Sequence, residues 1–342
     1  MCPLSTPTHS CHSQRIWSET RLNVYFRPKA DIRPNTNSEY VRPHEVHPVN
    51  LFGRLCSIIA LAGLSFTVSA AEARNAASAT ETNEHKIVIT TVFDNLSRDT
   101  SLATAWGFAA VVETPRDTIL FDTGKNASIL LANMERMKIS PRMVRAIVIS
   151  HVHSDHLGGL AGFLARNSGV RVFIPASFPG AVRRMIRAAG ADFTDVTGPT
   201  PITPQVSVTG PLQDGPDEQA LVVDTNEGLV IITGCAHPGV IRMVETAKAQ
   251  HPGRPIALVM GGFHLLHARK SETERIVQAF RRLGVKRVAP SHCTGDVARS
   301  QLRKDYGRDF IEAGVGMVLS FATNDPTGTM QRRTAHDGNG QL

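Results

Sequence analysis

Between Ser150 and Gly159 the chain reads Ser-His-Val-His-Ser-Asp-His-Leu-Gly-Gly, placing His151, His153, Asp155 and His156 within six residues. Neutral imidazoles and a carboxylate are donors that zinc and other first-row divalent ions accept. In extended chain, residues two apart point the same way, so His151 and His153 can face one point in space. Asp155 and His156 follow where the chain turns and reach the same pocket from another side. A solvated loop has no need of such clustering, and burying these groups without partners would be costly. The pattern therefore points to a metal centre. A divalent ion there would polarise a carbonyl or phosphoryl oxygen and lower the pKa of a bound water to ~7, so that hydroxide attacks at neutral pH.

The flanks must position these donors. Arg145–Ile149 is a short apolar block that reads as a buried strand, and Leu160–Arg166 reads as the start of a helix. The donors thus occupy a turn between a strand end and a helix start, and Gly158 and Gly159 let that turn pack closely. Four further segments have the same character. Thr118-Ile-Leu-Phe-Asp122-Thr-Gly124 ends a strand on an acid. Gly234-Cys235-Ala-His237-Pro-Gly239, Gly261-Gly-Phe-His264-Leu265 and Ser291-His292-Cys293-Thr-Gly295 each follow an apolar run.

His-x-His-x-Asp-His after a strand resembles the signature of the metallo-β-lactamase superfamily, and the resemblance extends from about Ile87 to about Phe321. The three downstream motifs resemble a branch of metal-dependent hydrolases that includes an archaeal-type dihydropterin-linked ribofuranosylaminobenzene phosphate synthase. The fold that this resemblance implies is α/β, a four-layer αββα metallo-β-lactamase sandwich. Periodicity alone gives only α/β.

The resemblance also implies two metal positions. His151 and His153 belong to one with a third histidine. Asp155, His156 and the C-terminal His292 belong to the other, and Asp155 is also a catalytic residue. No histidine lies between His156 and His237, and where the superfamily has Gly-Asp this chain has Gly234-Cys235. His237 is therefore expected to supply the missing imidazole, and the bridging carboxylate is absent from its usual place. Cys235 is read either as a thiolate ligand or as a small packing residue, and Cys293 likewise. Asp122 is expected to orient a ligand histidine, as carboxylates behind metal ligands do. His264 is expected at the metal or substrate as a catalytic proton donor, with a hydrogen-bonded loop role as the alternative. His267 reads as a surface residue. Lys125, Asn126 and Arg98 are candidates to meet an anionic substrate at the pocket mouth.

The expected cofactor is zinc, one or two ions, with another first-row divalent metal as the alternative. The expected activity is hydrolysis of a small-molecule ester, lactone, amide or phosphate-bearing substrate. Two alternatives accompany it: a pterin-linked synthase or transferase, and a non-catalytic metal-binding protein on the same fold.

The 342 residues carry a net charge of +7 and are 42% hydrophobic, enough for a sizeable core. From Ala71 onward there is one tryptophan, Trp106, and one tyrosine, Tyr306. Stacking platforms for single-stranded nucleic acid need more exposed aromatics, so a nucleic-acid partner is not expected. Self-association remains compatible with the sequence. Of five cysteines, only Cys235 and Cys293 fall in the expected folded region, too few for a disulfide framework.

Residues 1–50 are polar, rich in Pro, His and Arg, and expected to be disordered. Residues 51–73 contain a basic residue, a short apolar core and a small-x-small site, which reads as a secretory signal peptide. The apolar core is shorter than the ~20 residues of a membrane span. A secreted or periplasmic protein is expected, with a cytoplasmic one as the alternative. The distance of this segment from Met1 fits translation from a non-Met codon near Val46, Val49 or Leu51. Residues 74–84 read as a linker, 85–322 as the metallo-β-lactamase-like domain, and 323–342 as a disordered tail.

Within the domain, strands are expected at Lys86–Val92, Trp106–Val112, Thr118–Phe121, Val170–Ile174, Glu218–Asp224, Leu229–Thr233, Pro255–Met260, Lys286–Ala289 and Val315–Phe321. Helices are expected at Asn126–Met137, Phe178–Ala189, Val240–Gln250, Ser271–Leu283 with Ser271 as cap, and Asp296–Tyr306.

Overall fold

The computed structural model describes residues 86–323. The expectations for 1–50, 51–73 and 74–84, and for the tail apart from residue 323, lie outside the described residues. No helix among the described residues is long and apolar enough to cross a membrane.

The strands are β1 (Lys86–Phe93), β2 (Ala109–Glu113), β3 (Thr118–Phe121), β4 (Val144–Val148), β5 (Arg171–Pro175), β6 (Asp192–Val196), β7 (Thr200–Thr203), β8 (Val206–Val208), β9 (Leu221–Thr225), β10 (Gly228–Thr233), β11 (Ile256–Gly262), β12 (Val285–Ser291) and β13 (Val318–Ala322). The helices are α1 (Ala127–Arg136), α2 (Ser154–Leu157), α3 (Leu160–Leu164), α4 (Gly180–Ala188), α5 (Val240–Gln250), α6 (Lys270–Leu283) and α7 (Asp296–Tyr306). One sheet has the order β13-β1-β2-β3-β4-β5-β6, and the other β12-β11-β10-β9-β8-β7.

Alternation along the strands explains the layering. Ile119 and Phe121 of β3 and Ala146 and Val148 of β4 face one core, which they share with Val230 and Ile232 of β10 and Leu258 and Met260 of β11. Their neighbours Leu120 and Ile147 point the other way, into a core closed by Leu130 and Met134 of α1, Phe163 of α3 and Ile186 of α4. On the second sheet, Leu229 and Ile231 pack outward against Met243 of α5, Phe280 of α6 and Leu302 of α7. Strands apolar on both faces need cover on both faces. The result is helices, sheet, sheet, helices: the four-layer αββα sandwich.

Strand direction then sets where the loops gather. β3 and β4 run parallel, as do β10, β11 and β12. Two antiparallel pairings bring β1 parallel to β3. The carboxyl ends of β1, β3 and β4 therefore share one edge of the first sheet, and those of β10–β12 share one edge of the second. Gln219 bonds across between the sheets, its backbone N–H donating to Ser150 O at 3.0 Å and its side chain to Ile149 O at 2.9 Å.

Several expected boundaries shift by a residue or two, and four of the shifts have a clear local reason. Trp106–Phe108 are not in β2: Gly107 has φ +138° and a Cβ there would lie 2.4 Å from Asp155 O. The Phe108 N–H donates to that same carbonyl. Helix α6 begins at Lys270 with Arg269 in the cap position and no side-chain cap, so Ser271 is inside the first turn. Strand β13 begins only at Val318, because Val315 pairs with Leu96 and Gly316 turns the chain at φ +92°. Strand β9 begins at Leu221, because Glu218 pairs with Leu212 instead.

Candidate metal centre

The donors collect where those strand ends meet. Asp122 follows β3, His151–His156 follow β4, Cys235 and His237 follow β10, His264 follows β11, and His292 and Cys293 follow β12. Asn95 lies just beyond β1. Gly234 makes the approach between the β4 and β10 ends feasible: a Cβ there would stand 2.2 Å from Ser150 Oγ. Six non-glycine residues among those described have positive φ, and four of them, Asp122, Ala236, His264 and His292, surround this cluster. Such conformations cost free energy and are held only where the surroundings over-determine them.

Three donor groups result, each with its ligand atoms within 4.8 Å of one another, and two of them hold most of the expected ligands. One comprises Asp155, His156, Cys235 and His292; the other comprises His151, Cys235 and His237. The His292 Nε2 lies 3.2 Å from Asp155 Oδ2 and the His156 Nε2 3.6 Å from it. His153 packs its ring 4.8 Å from that of His151 and 4.7 Å from that of His237. It is exposed and stands beside the second group, not inside it.

The hydrogen-bond network assigns the tautomers. Ser150 Oγ donates to Asp122 Oδ2 at 2.8 Å, so it accepts from His151 Nδ1 at 2.9 Å. His156 Nδ1 donates to Asp122 Oδ2 at 2.7 Å, and His237 Nδ1 to Glu218 Oε2 at 2.8 Å. His292 Nδ1 donates to Asn95 Oδ1 at 2.9 Å. His151, His156 and His237 thus carry their proton on Nδ1 and present a bare Nε2 lone pair to the cluster, while the His292 Nε2 meets Asp155 Oδ2 at 3.2 Å. Carboxylates and amides behind ligating histidines set tautomer and ring orientation in this way.

The His151 Nε2 is buried and makes no hydrogen bond, and the equally buried His292 Nε2 faces only the Asp155 carboxylate, at 3.2 Å. An orphaned buried acceptor such as the His151 Nε2 is rare and costs on the order of 1–3 kcal/mol, and with imidazoles, a thiol and a carboxylate converging around it the site calls for a cation. The electrostatics of His151 and His156 agree with that demand, whereas at His292 burial lowers the pKa but the Asp155 contact outweighs it and raises it. Burial and the neighbouring His156 push the His151 pKa down to about 3, and burial and His292 push that of His156 to about 3. Both are therefore neutral, the form that ligates. Burial opposes charge on Asp155, yet the contact with His292 and the field of His156 hold its carboxyl well below the usual range. Burial lifts Asp122 to about 7. Cys293, burial and the Glu218 and Asp155 carboxylates all push the Cys235 thiol up. Imidazoles, one carboxylate and one thiol suit zinc-type ions.

Of the expected residues, the structure brings together His151, Asp155, His156, Cys235, His237 and His292, and sets Asp122 behind His151 and His156. His264 is exposed, with its ring 4.5 Å from that of His237. It also forms a donor group with Cys235 and Cys293, and its contact with Cys293 raises its pKa. Asn126 is the side-chain cap of α1, accepting from the N–H groups of Ser128 and Ile129, which gives it a helix to hold. His267 is exposed.

Sequence reasoning missed two residues. Glu218 is fully buried; its carboxylate accepts from the N–H groups of Cys235, Ala236 and His237 at 2.8–2.9 Å, besides His237 Nδ1. The signal was an acid directly before an apolar strand. Asn95 was visible only as a polar residue at a strand end, the same local pattern as Asp122.

A family model described as the metallo-beta-lactamase superfamily matches residues 107–292. The chain belongs to the metallo-β-lactamase superfamily. It is 26% identical over 247 residues to the 7,8-dihydropterin-6-methyl-4-(beta-D-ribofuranosyl)-aminobenzene-5'-phosphate synthase of Methanocaldococcus jannaschii, covering 59% of this chain and 84% of that protein. The crystal structure of Tm1679, a metal-dependent hydrolase of the superfamily, superposes with a TM-score of 0.59 at 29% identity, covering 69% of this chain and 99% of that one. The superfamily protein YhfI from Bacillus subtilis shares the fold, with a TM-score of 0.53 at 12% identity and coverage of 69% and 99%.

Proposed function

We propose that this superfamily member is a metal-dependent hydrolase of the zinc type, acting on a small ester, lactone, amide or phosphate-bearing molecule. The observation that carries the reading is the convergence of buried imidazole, carboxylate and thiol donors, with the His151 Nε2 left without any partner among them. One or two ions would be held by His151, His153 and His237 on one side and by Asp155, His156 and His292 on the other, supplying Lewis acidity and an activated nucleophile. Asp155 stays ionised and orients the attacking group. Asp122 and Glu218 fix the rings of His156 and His237 so that Nε2, not Nδ1, faces the reaction. His264, exposed at the rim beside His237, holds a proton for the leaving group.

The test is chelation of the full-length chain followed by a screen of lactones, esters and phosphate esters. Turnover is expected to vanish with the metal and return with added zinc. Full turnover from a metal-free preparation contradicts the proposal.

A second reading, transfer chemistry on a pterin-linked substrate, is favoured by the similarity to the M. jannaschii synthase. Trp106 adds to it: the ring is 42% exposed and lies 4.8 Å from that of His292, a flat platform at the donor cluster. Aromatic stacking contributes about 0.5–1.5 kcal/mol, so Trp106→Ala is expected to raise KM for a ring-bearing substrate about two- to tenfold with kcat little changed. An equal loss on acyclic and cyclic substrates would remove the platform role. Export directed by residues 51–73 is part of the first reading, because pterin and ribosyl-phosphate intermediates are cytosolic.

A further inference from the structure

We infer that the Cys235 sulfur is a donor shared between two metal positions, as a bridging thiolate. The inference rests on the metal-centre reading above and specifies how its two halves are joined. Among the described residues, Cys235 alone contributes to both the Asp155–His156–His292 group and the His151–His237 group. Asp155, the one carboxylate offered as a donor, belongs to the first group only. Without the sulfur, His151 and His237 would present only imidazole nitrogens, and no anion, to a divalent ion.

The surroundings hold Cys235 for this role. It is 4% exposed, and its Sγ lies 3.2 Å from His156 Nε2. Because His156 gives its Nδ1 proton to Asp122, the Nε2 lone pair is what faces the sulfur. The thiol faces that lone pair across 3.2 Å. A metal ion displaces the thiol proton, which leaves to water. The backbone is fixed as well: the Cys235 N–H donates to Glu218 Oε1 at 2.8 Å. Gly262 closes in from β11, where an added Cβ would stand 3.2 Å from Cys235 Cα and 2.7 Å from Cys293 Sγ. A residue whose only task was packing would not need its sulfur aimed at a lone pair at the junction of two donor groups. A thiolate there also favours zinc, cobalt or cadmium over magnesium or manganese, which prefer oxygen.

The experiment is a cobalt titration of the metal-stripped full-length chain, read by absorption and by metal content. A sulfur-to-cobalt charge-transfer band is expected, rising through both equivalents because one sulfur serves both ions. Cys235→Ala should lose the band and half the bound cobalt. Cys235→Asp should keep both ions without the band, which shows that the variant folds and that a shared anion is what the position supplies. Cys293→Ala should keep the band. A band that survives Cys235→Ala, or that stops growing after the first equivalent, overturns the shared role while leaving the metal centre standing. Failure of the native chain to bind any cobalt overturns the metal centre itself, and this inference with it.

Discussion

Glu218→Gln is expected to destabilise the protein at neutral pH by about 3 kcal/mol, because a buried, fully used anion is replaced by a group that must donate. Both carboxylate oxygens of Glu218 are occupied: Oε1 accepts from the Cys235 and Ala236 N–H groups, and Oε2 from the His237 N–H and Nδ1. Whichever way the amide turns, its NH₂ faces two donors and leaves them unpaired. Three consecutive backbone N–H groups converging on one anion form the turn that carries Cys235 and His237, so metal affinity should fall with stability. The penalty should depend on pH in a defined direction. Burial raises the Glu218 pKa, but the hydrogen bond from His237 and the field of His151 outweigh it and hold the carboxyl below its usual value of 4.5. A depressed folded-state pKa contributes stability above the unfolded value and loses it as pH falls through the folded one. The difference between native and variant proteins in urea unfolding should therefore be full at neutral pH and shrink below about pH 4.5. A variant as stable as the native chain at pH 7 would remove Glu218 from this account.

His156→Ala should have the largest catalytic effect, a loss of about a thousandfold or more in turnover, since a catalytic ion typically supplies several kcal/mol of transition-state stabilisation. The ring does two things at once. Its Nε2 faces Asp155 and Cys235, and its Nδ1 satisfies Asp122, which is wholly buried. Removing it takes one donor from the Asp155–His292 group and leaves Asp122 Oδ2 with Ser150 Oγ as its remaining partner. Elemental analysis should show at least one ion fewer per chain, and the turnover of the variant should not be rescued by excess zinc. Rescue by zinc to native rates would mean that His156 only tunes affinity.

The α/β class was legible in the strand and helix periods, but the four-layer sandwich only through the resemblance; strands such as Leu229–Thr233 and Thr118–Phe121, apolar on both faces, then fit the buried place between layers that it implies. The His151–His156 run was legible because its donors sit within one turn of chain. What escaped notice depends on contacts distant in sequence. Asn95 meets His292 across 197 residues, and nothing near Asn95 announces that partner. Glu218 is 17–19 residues from the backbone it serves and sits before a strand that accounts for it equally well. Trp106-Gly-Phe108 reads as strand by composition, but Gly107 fits against Asp155 O where a Cβ would clash, and the segment bonds to the donor loop instead. The position of Cys235 between both donor groups follows from how the edges of two sheets meet, which no local spacing encodes.

The central claim is that these strand ends hold catalytic metal, and the most direct measurement is metal content per full-length chain beside turnover of the same sample. Two zinc ions per chain, with turnover rising in step with occupancy after chelation and reloading, is the result expected. Undiminished turnover from chains that carry no metal would contradict it.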